Sequence, residues 1–163
     1  MGRKKKIRKV LLIEPNYSNK YPPVGLMKLA TYYRNLGNWE VVFYKGDLKE
    51  FVIDRITDKC VEALTKIDSD VNWKYRKDSI YEYIRTRKKA AYDDIRVDDS
   101  SMSVLASAKI IEAKDYYWKG IWKENPEWDR VGITTLFTFY WDITIETINF
   151  AKYLVKDIKN LMV

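Results

Sequence analysis

The sequence predicts an α/β domain built on a parallel sheet. Short apolar segments alternate with longer segments whose apolar residues recur at helical spacing, a pattern typical of strands that helices cover on both faces. Residues 9–13 (Lys-Val-Leu-Leu-Ile) and 130–136 (Arg-Val-Gly-Ile-Thr-Thr-Leu) are the clearest strands. Turn-forming or aromatic residues and then a helix signal follow each of them. A chain of 163 residues has room for one such domain.

The amino-terminal part begins with strand, helix, strand and helix. The first strand is predicted at residues 9–13, and the prolines, asparagines and serine of residues 14–23 indicate a loop. Residues 23–37 predict a helix, because proline is tolerated in its first turn and glycine is a common helix end. A second strand is predicted at 40–44 and a second helix at 48–67. This order with short loops favours parallel strands joined by right-handed crossovers.

The middle of the chain, about residues 68–130, is expected to be a helical insertion. It is polar and rich in tyrosine and tryptophan, and its apolar residues have helical spacing wherever they are regular. Helices are predicted at residues 78–92 and 102–117. The candidate caps of the second of these helices are Asp99, Ser100 and Ser101. Tyr116, Tyr117, Trp118 and Trp122 either stack on bases or pack in the fold, and packing is favoured because no strong basic excess is interleaved with them.

The carboxyl-terminal part returns to the α/β pattern. A strand is predicted at residues 130–136, a loop at 137–141, and a helix from Ile143 with Asp142 as its cap. The residues expected to face inward along this helix are Ile148, Ala151, Leu154, Val155 and Ile158. Residues 161–163 look like the opening of a buried strand, so the chain is expected to be truncated within the fold. The third strand would then lack a neighbour on one side, and self-association through that exposed edge is expected.

Histidine and cysteine counts exclude several kinds of site. The chain has no histidine, which excludes catalytic triads that need one and the usual catalytic zinc and iron sites. The single cysteine, Cys60, excludes an internal disulfide and any cluster held by several cysteines of this chain. It falls on the apolar face of the second helix, where a buried, inert thiol is expected. No apolar run is long enough for a membrane span or a signal peptide, so a cytoplasmic location is expected.

The basic character of the chain belongs to its amino terminus. The formal net charge is +7, but without the first nine residues 24 Lys and Arg face 23 Asp and Glu. The cations concerned are Arg3, Lys4, Lys5, Lys6, Arg8 and Lys9. Such a cluster either contacts phosphates or keeps the following apolar strand soluble. The second interpretation is favoured, so nucleic acid is not expected as a partner.

Two segments carry a resemblance to a known family. After the first strand, residues 22–26 are Pro-Pro-Val-Gly-Leu, and in the later strand residues 131–134 are Val-Gly-Ile-Thr. In this context they resemble the amino-terminal cobalamin-binding-type domain of radical S-adenosylmethionine proteins. In that family Pro-Pro-x-Gly-Leu follows the first strand, and Val-Gly-Ile-(Ser/Thr) precedes a helix. The similarity covers about residues 7–50 and 128–163 and leaves the middle of the chain unmatched.

The resemblance implies a flavodoxin-like, doubly wound parallel sheet of order 2-1-3-4-5, of which 2-1-3 is expected here. It also implies a ligand at the carboxyl ends of strands one and three, which agrees with the general rule for open α/β sheets. The cofactor-binding residues implied are Asn16, Tyr17, Ser18, Tyr21, Pro22, Pro23, Gly25, Thr134, Thr135, Phe137 and Tyr140. The ligand implied is cobalamin, or else the domain shapes the site of a substrate.

The chain departs from the family in two respects. It lacks the Asp-x-His-x-x-Gly motif, so a cobalamin would bind without a protein histidine on cobalt. It also lacks the Cys-x-x-x-Cys-x-x-Cys motif, so an iron-sulfur cluster and S-adenosylmethionine would belong to a carboxyl-terminal domain outside this chain. The chain alone is therefore expected not to be catalytic.

Several features have two interpretations. The aromatic residues Tyr17, Tyr21, Phe137, Tyr140 and Trp141 either line a ligand or seal a core. Gly25 allows close approach either of a helix to the sheet or of a ligand to the backbone. Asp47 follows the second strand, where dinucleotide-binding folds place an acid, but no G-x-G-x-x-G supports that role. As an alternative function, the chain is a non-catalytic module that binds a protein or nucleic acid through the aromatic insertion and the basic terminus.

Overall fold

The computed structural model describes residues 4–18, 22–96, 103–135 and 140–163. The strands in these ranges are β1 (Arg8–Glu14), β2 (Trp39–Lys45), β3 (Arg130–Ile133) and β4 (Leu161–Met162). The helices are α1 (Val24–Asn35), α2 (Leu48–Ile67), α3 (Lys77–Thr86), α4 (Lys89–Ile95), α5 (Val104–Trp118) and α6 (Trp141–Ala151). Short 3-10 turns lie at Lys74–Arg76, Ile121–Lys123 and Ile158–Asn160. No helix among the described residues is both long and apolar enough to cross a bilayer.

The chain divides into two compact units. The first unit is Met1–Leu48 with Asn125–Val163, and it contains the sheet, α1 and α6. The second unit is Lys49–Glu124, and it contains α2 from its second residue onward together with α3, α4 and α5. The second unit therefore begins earlier than the insertion predicted at about residues 68–130, since it takes in most of α2.

The sheet is wholly parallel, with strand order β2-β1-β3-β4. The predicted α/β fold class and flavodoxin-like strand order are thereby confirmed. The expectation that the third strand lacks a neighbour is wrong, because β4 pairs with β3 through Val131↔Leu161 and Gly132↔Met162. Two apolar residues at 161 and 162 are enough to take up this pairing, so β3 is not an edge strand over those positions.

The core of the first unit is built on β1. Val10, Leu11, Leu12 and Ile13 are all fully buried, as a central strand covered on both faces requires. Helix α1 covers one face of the sheet. Its contacts there form a cluster of buried Val10, Leu12, Leu26, Ala30 and Tyr33, with Leu29, Trp39, Val41 and Met162 at its rim.

Gly132 lies in the centre of β3 beside this cluster. A Cβ at this position would come within 3.0 Å of Leu12 Cδ2 and 3.5 Å of Met162 Cε. The glycine therefore leaves the space that the Leu12 side chain fills, and its role is packing rather than backbone freedom.

The helix after β3 differs from its prediction at both ends. Tyr140, not Asp142, occupies the N-cap position, and no side chain caps this end of α6. The helix stops at Ala151, and the chain then forms a parallel bridge from Val155 to Trp128. Ile158, predicted to face inward, is 55 % exposed because it lies in a 3-10 turn beyond the helix.

In the second unit, the single helix predicted at residues 78–92 is two helices. Arg87 ends α3 in the left-handed region, with φ 59°, and its backbone N–H donates to the Tyr83 carbonyl oxygen. A continuous helix would separate Tyr83 from Tyr92 by about 13 Å along its axis. The break instead brings the two rings to 5.1 Å, so the aromatic contact accompanies the reversal.

The N-cap of helix α5 lies two residues beyond the last candidate cap, Ser101. Ser103 is its N-cap, and its hydroxyl oxygen accepts from Ala106 N–H at 3.1 Å. The same hydroxyl donates to Asp68 Oδ2 at 2.9 Å, which ties the start of α5 to the end of α2. Asp99, Ser100 and Ser101 lie outside the described residues.

The tryptophans of the second unit are engaged in packing, as expected. Trp73 and Trp122 are buried, and Trp73 donates from its indole nitrogen to the Asp68 carbonyl oxygen at 3.1 Å. Trp118 donates to the Ile84 carbonyl oxygen at 2.7 Å, and the Arg87 guanidinium lies 3.9 Å from the centre of its ring. These contacts join α5 to the end of α3.

Replacing Gly132 by valine should destabilise the fold, because the added methyl groups would overlap the Leu12 side chain. Overpacking of this kind costs about 1 to 3 kcal/mol of unfolding free energy. Urea denaturation of Gly132→Val measures the loss. Gly25→Ala is the control, since a Cβ at residue 25 meets no atom within 4 Å and helical glycine is itself unfavourable. Equal stability of Gly132→Val and the wild type would contradict this packing.

Candidate functional site

The carboxyl ends of β1 and β3 form the switch point of the sheet. From β1 the chain passes through α1 to β2 on one side, and from β3 it passes through α6 to β4 on the other. The two loops therefore leave neighbouring strands in opposite directions, which is the arrangement at which open α/β sheets bind ligands. The predicted cofactor residues in the described ranges come from these two loops and from the start of α1.

Tyr17 closes the base of this site. It is 3 % exposed, and its hydroxyl lies 2.5 Å from Thr144 Oγ1 and 3.3 Å from the Thr134 carbonyl oxygen. Because the Thr144 hydroxyl donates to the Tyr140 carbonyl oxygen, the Thr144 oxygen is left to accept from Tyr17. The loop after β1 is thus joined directly to α6.

Tyr140 belongs to the same contact. Its ring centre lies 5.0 Å from that of Tyr17, and its side chain is half-buried. The two aromatic residues therefore pack on each other at the switch point. Tyr17 is buried, so it seals the core rather than lining a ligand. Tyr140 keeps part of its surface accessible and can still contact one.

Three small polar side chains at the same edge are exposed. Asn16 and Ser18 flank Tyr17, and Thr135 follows Thr134, whose backbone N–H donates to the Ile13 carbonyl oxygen at 3.0 Å. Within the described part of the chain, the side chains of Asn16, Ser18 and Thr135 make no hydrogen bond. They are available to a ligand that has amide or hydroxyl groups.

The start of α1 contributes open surface. Pro22 and Gly25 are exposed and Pro23 is half-buried, and no acidic residue lies in the first turn. A Cβ at Gly25 would meet nothing within 4 Å. One of the two interpretations of Gly25, close approach of the helix to the sheet, is therefore wrong, and accessible backbone at this helix end remains.

An ion pair between a buried carboxylate and an exposed lysine lies at this edge, and it was not predicted from the sequence. Glu14, the last residue of β1, is 2 % exposed, and its Oε1 lies 3.2 Å from Lys45 Nζ at the end of β2. The strand register places these two residues opposite each other. The sequence signal for this pair is an acidic residue at the end of an apolar strand and a lysine at the end of the next strand. It becomes visible only once the register is known.

Other predicted residues do not join the site as described. Tyr21 and Phe137 lie outside the described residues. Trp141, at the start of α6, is 63 % exposed. Asp47 is exposed after β2, and its carbonyl oxygen accepts from the Tyr44 hydroxyl at 2.8 Å.

The described residues contain no group of three or more acids or cysteines that could hold a metal ion. Cys60 is buried in α2, and this burial raises the pKa of its thiol to about 12, an effect that the nearby Lys109 ammonium only partly offsets. With no histidine in the chain and its one cysteine buried, no imidazole or accessible thiolate of this chain can contact a ligand at the carboxyl edge. No protein-family model, no curated protein and no solved structure matches this chain.

Removing the Tyr17 hydroxyl should loosen the link between the loop after β1 and α6. A hydrogen bond of this kind contributes about 1 kcal/mol to stability, so Tyr17→Phe should lower the unfolding free energy by that amount. Tyr32→Phe is the matched control, because Tyr32 is 57 % exposed and should change stability by less than about 0.5 kcal/mol. A double-mutant cycle with Thr144→Val measures the coupling, and strictly additive effects would show that the contact carries no energy.

The Cys60 thiol should be unreactive in the folded protein. Its raised pKa, about 12 against 9.0, leaves about a thousandfold less thiolate than a free cysteine has at the same pH. The pKa of this thiol is higher in the folded than in the unfolded chain. Its contribution to the unfolding free energy is therefore fully present below pH 9 and is lost as the pH rises toward 12. Disulfide exchange with a chromogenic reagent at about pH 8 should be slow for the native chain and fast in urea. Rapid modification of the native chain would contradict this.

Proposed function

We propose that the first unit binds a cobalamin-type cofactor at the carboxyl ends of β1 and β3, on behalf of a radical S-adenosylmethionine protein. The observation that carries this proposal is the sheet order β2-β1-β3-β4 with its switch point between β1 and β3. Parallel sheets of this order present two diverging loops at one edge, and ligands bind in the opening between them.

The sequence resemblance and the geometry support the same edge. The Pro-Pro-Val-Gly-Leu segment, residues 22–26, spans the start of α1, where Gly25 is exposed and unobstructed. The Val-Gly-Ile-Thr segment, residues 131–134, runs along β3 to the same edge. The first segment follows β1 and the second lies in β3, about 105 residues later in the sequence, and β1 and β3 are paired neighbours in the sheet.

The exposed side chains suit the periphery of a corrin better than its metal. A corrin carries amide side chains around its ring, and Asn16, Ser18 and Thr135 are exposed groups that can donate to and accept from amides. No histidine exists in the chain, and no metal-holding cluster occurs in its described ranges. The residues present therefore fit a cobalamin held by its edge and faces, with no protein ligand on cobalt.

When bound, a cobalamin supplies the reactive cobalt, and this chain supplies binding and orientation. Tyr17, hydrogen-bonded to Thr144, forms the floor of the switch point, and the half-buried Tyr140 offers aromatic surface beside it. The one cysteine is buried, so the chain cannot hold an iron-sulfur cluster that needs three thiolates. The radical step therefore belongs to a separate domain or chain.

Binding is tested by titrating the protein with hydroxocobalamin and following visible absorbance and retention in ultrafiltration. Wild-type protein should retain the cofactor. Gly25→Leu should weaken retention by about tenfold or more, because its side chain would project into the open surface that the ligand needs. Leucine is a better helix former than glycine, so this variant should fold at least as stably as the wild type.

Thr31→Leu is the matched control. It lies on the exposed side of the same helix, about 9 Å further along the axis, and it should leave retention unchanged. Absence of any spectral or retention change with the wild type would exclude cobalamin binding. Equal retention by wild type and Gly25→Leu would place the ligand elsewhere on the molecule.

A further inference from the structure

The amino edge of the sheet, opposite the switch point, carries a stack of two guanidinium groups on one indole ring. Arg8 begins β1, Trp39 begins β2 and Arg130 begins β3. The register pairs Arg8 with Trp39, and it pairs Val10, two residues further along β1, with Arg130. Three neighbouring parallel strands thus bring their first side chains to one place.

Both guanidinium groups lie over the Trp39 ring within cation–π distance. The Arg8 guanidinium carbon lies 4.3 Å from the centre of the Trp39 ring, and that of Arg130 lies 5.4 Å from it. Arg130 also donates from one terminal nitrogen to the Tyr33 hydroxyl at 2.9 Å. A guanidinium carries five N–H donors, and a cation–π contact does not use them as hydrogen-bond donors, so they can donate to an anion.

The carboxylates of this edge are engaged by other cations. Glu127 pairs with Lys9 at 2.8 Å, and Asp129 pairs with Lys156 at 3.0 Å and accepts from the Lys9 backbone N–H at 2.8 Å. In the described ranges no carboxylate lies within ion-pair distance of Arg8 or Arg130. Burial raises the pKa of Asp129, but the Lys9 backbone N–H, Lys156 and Arg8 bring it below its usual value, so this carboxylate partly balances the charge of Arg8 without forming an ion pair with it.

The excess charge of the whole chain belongs to this unit. The first unit has 14 Lys and Arg against 8 Asp and Glu, whereas the second has 16 against 15. Lys4, Lys5 and Lys6 are exposed and lead directly into Arg8. A fully extended chain advances about 3.3 Å per residue, so the backbone positions of these four cations lie within about 13 Å of one another.

We propose that this amino edge binds the phosphate backbone of a nucleic acid without reading its sequence. A cluster of cations beside two guanidiniums is complementary in charge to a ligand with regularly repeated negative charges. Each phosphate that these cations neutralise releases a counterion. The Trp39 ring faces two arginines, so it is not open to stack on bases as the aromatic residues of single-strand binders are. Backbone contacts alone carry no sequence information.

The test is fluorescence anisotropy of a labelled single-stranded oligonucleotide of mixed sequence, with the full chain, at about 50 to 200 mM KCl. Wild-type protein should bind at the lower salt concentration and lose affinity steeply as salt increases. The triple variant Lys4→Gln, Lys5→Gln, Lys6→Gln should reduce the slope of log affinity against log salt by about 2, at 0.7 per phosphate contact. These three side chains are exposed, so their replacement should not affect folding.

The matched control is Lys66→Gln, Lys74→Gln, Lys89→Gln, which removes three exposed lysines from the second unit and lowers the net charge equally. It should retain wild-type affinity and slope.

A second pair of variants tests the contact of Arg8 with Trp39. Arg8→Lys keeps the charge but loses the planar guanidinium, whereas Arg8→Gln loses both. Both should weaken binding, and Arg8→Gln should weaken it more.

Three outcomes would overturn the proposal. The first is absence of binding by the wild type at about 50 mM KCl. The second is an equal loss in the two triple variants, which would show that net charge alone attracts the oligonucleotide. The third is competition by poly-glutamate as effective as that by unlabelled oligonucleotide at the same charge concentration, which would assign the edge to acidic protein segments instead.

Discussion

The burial of β1 between β2 and β3 is the constraint on which the first unit depends. Four consecutive apolar residues of β1 are fully buried, and each contributes about 1.5 to 3 kcal/mol when removed from water. This burial is possible only if the backbone groups on both edges of the strand are paired, since unpaired amide groups in an apolar interior are costly. Both pairings are parallel, so both neighbouring strands must return by crossovers.

A central parallel strand also separates the two ends of the sheet chemically. All strands begin at one edge and end at the other, so the loops that follow β1 and β3 meet at the carboxyl edge. There the charge of Glu14 is held by Lys45, and the exposed groups are small and polar. At the amino edge the first residues of β1 and β3 are arginines stacked on Trp39. A neutral, polar ligand and a polyanion would therefore use opposite edges.

Much of the fold could be predicted from local sequence, and most of the errors have a tertiary cause. The four strands and the helices α1 and α2 follow from apolar spacing, proline and glycine. The break at Arg87 does not, because the left-handed arginine accompanies tertiary contacts: Tyr83 with Tyr92, and the Arg87 guanidinium with Trp118. The early end of α6 is another such case, since the chain beyond Ala151 pairs Val155 with Trp128 instead of continuing the helix.

The sequence by itself determined the composition limits of this protein: no histidine, one cysteine, a basic terminus and an alternation of strands and helices. It also placed the candidate site in two loops, because strand ends are local features. Only the tertiary structure decided which side chains in those loops are buried in packing contacts and which are exposed. Tyr17 and Thr144 are 127 residues apart, and their hydrogen bond exists because two parallel strands bring their following segments together. Arg8, Trp39 and Arg130 are likewise neighbours only through register, which no local pattern in the sequence specifies.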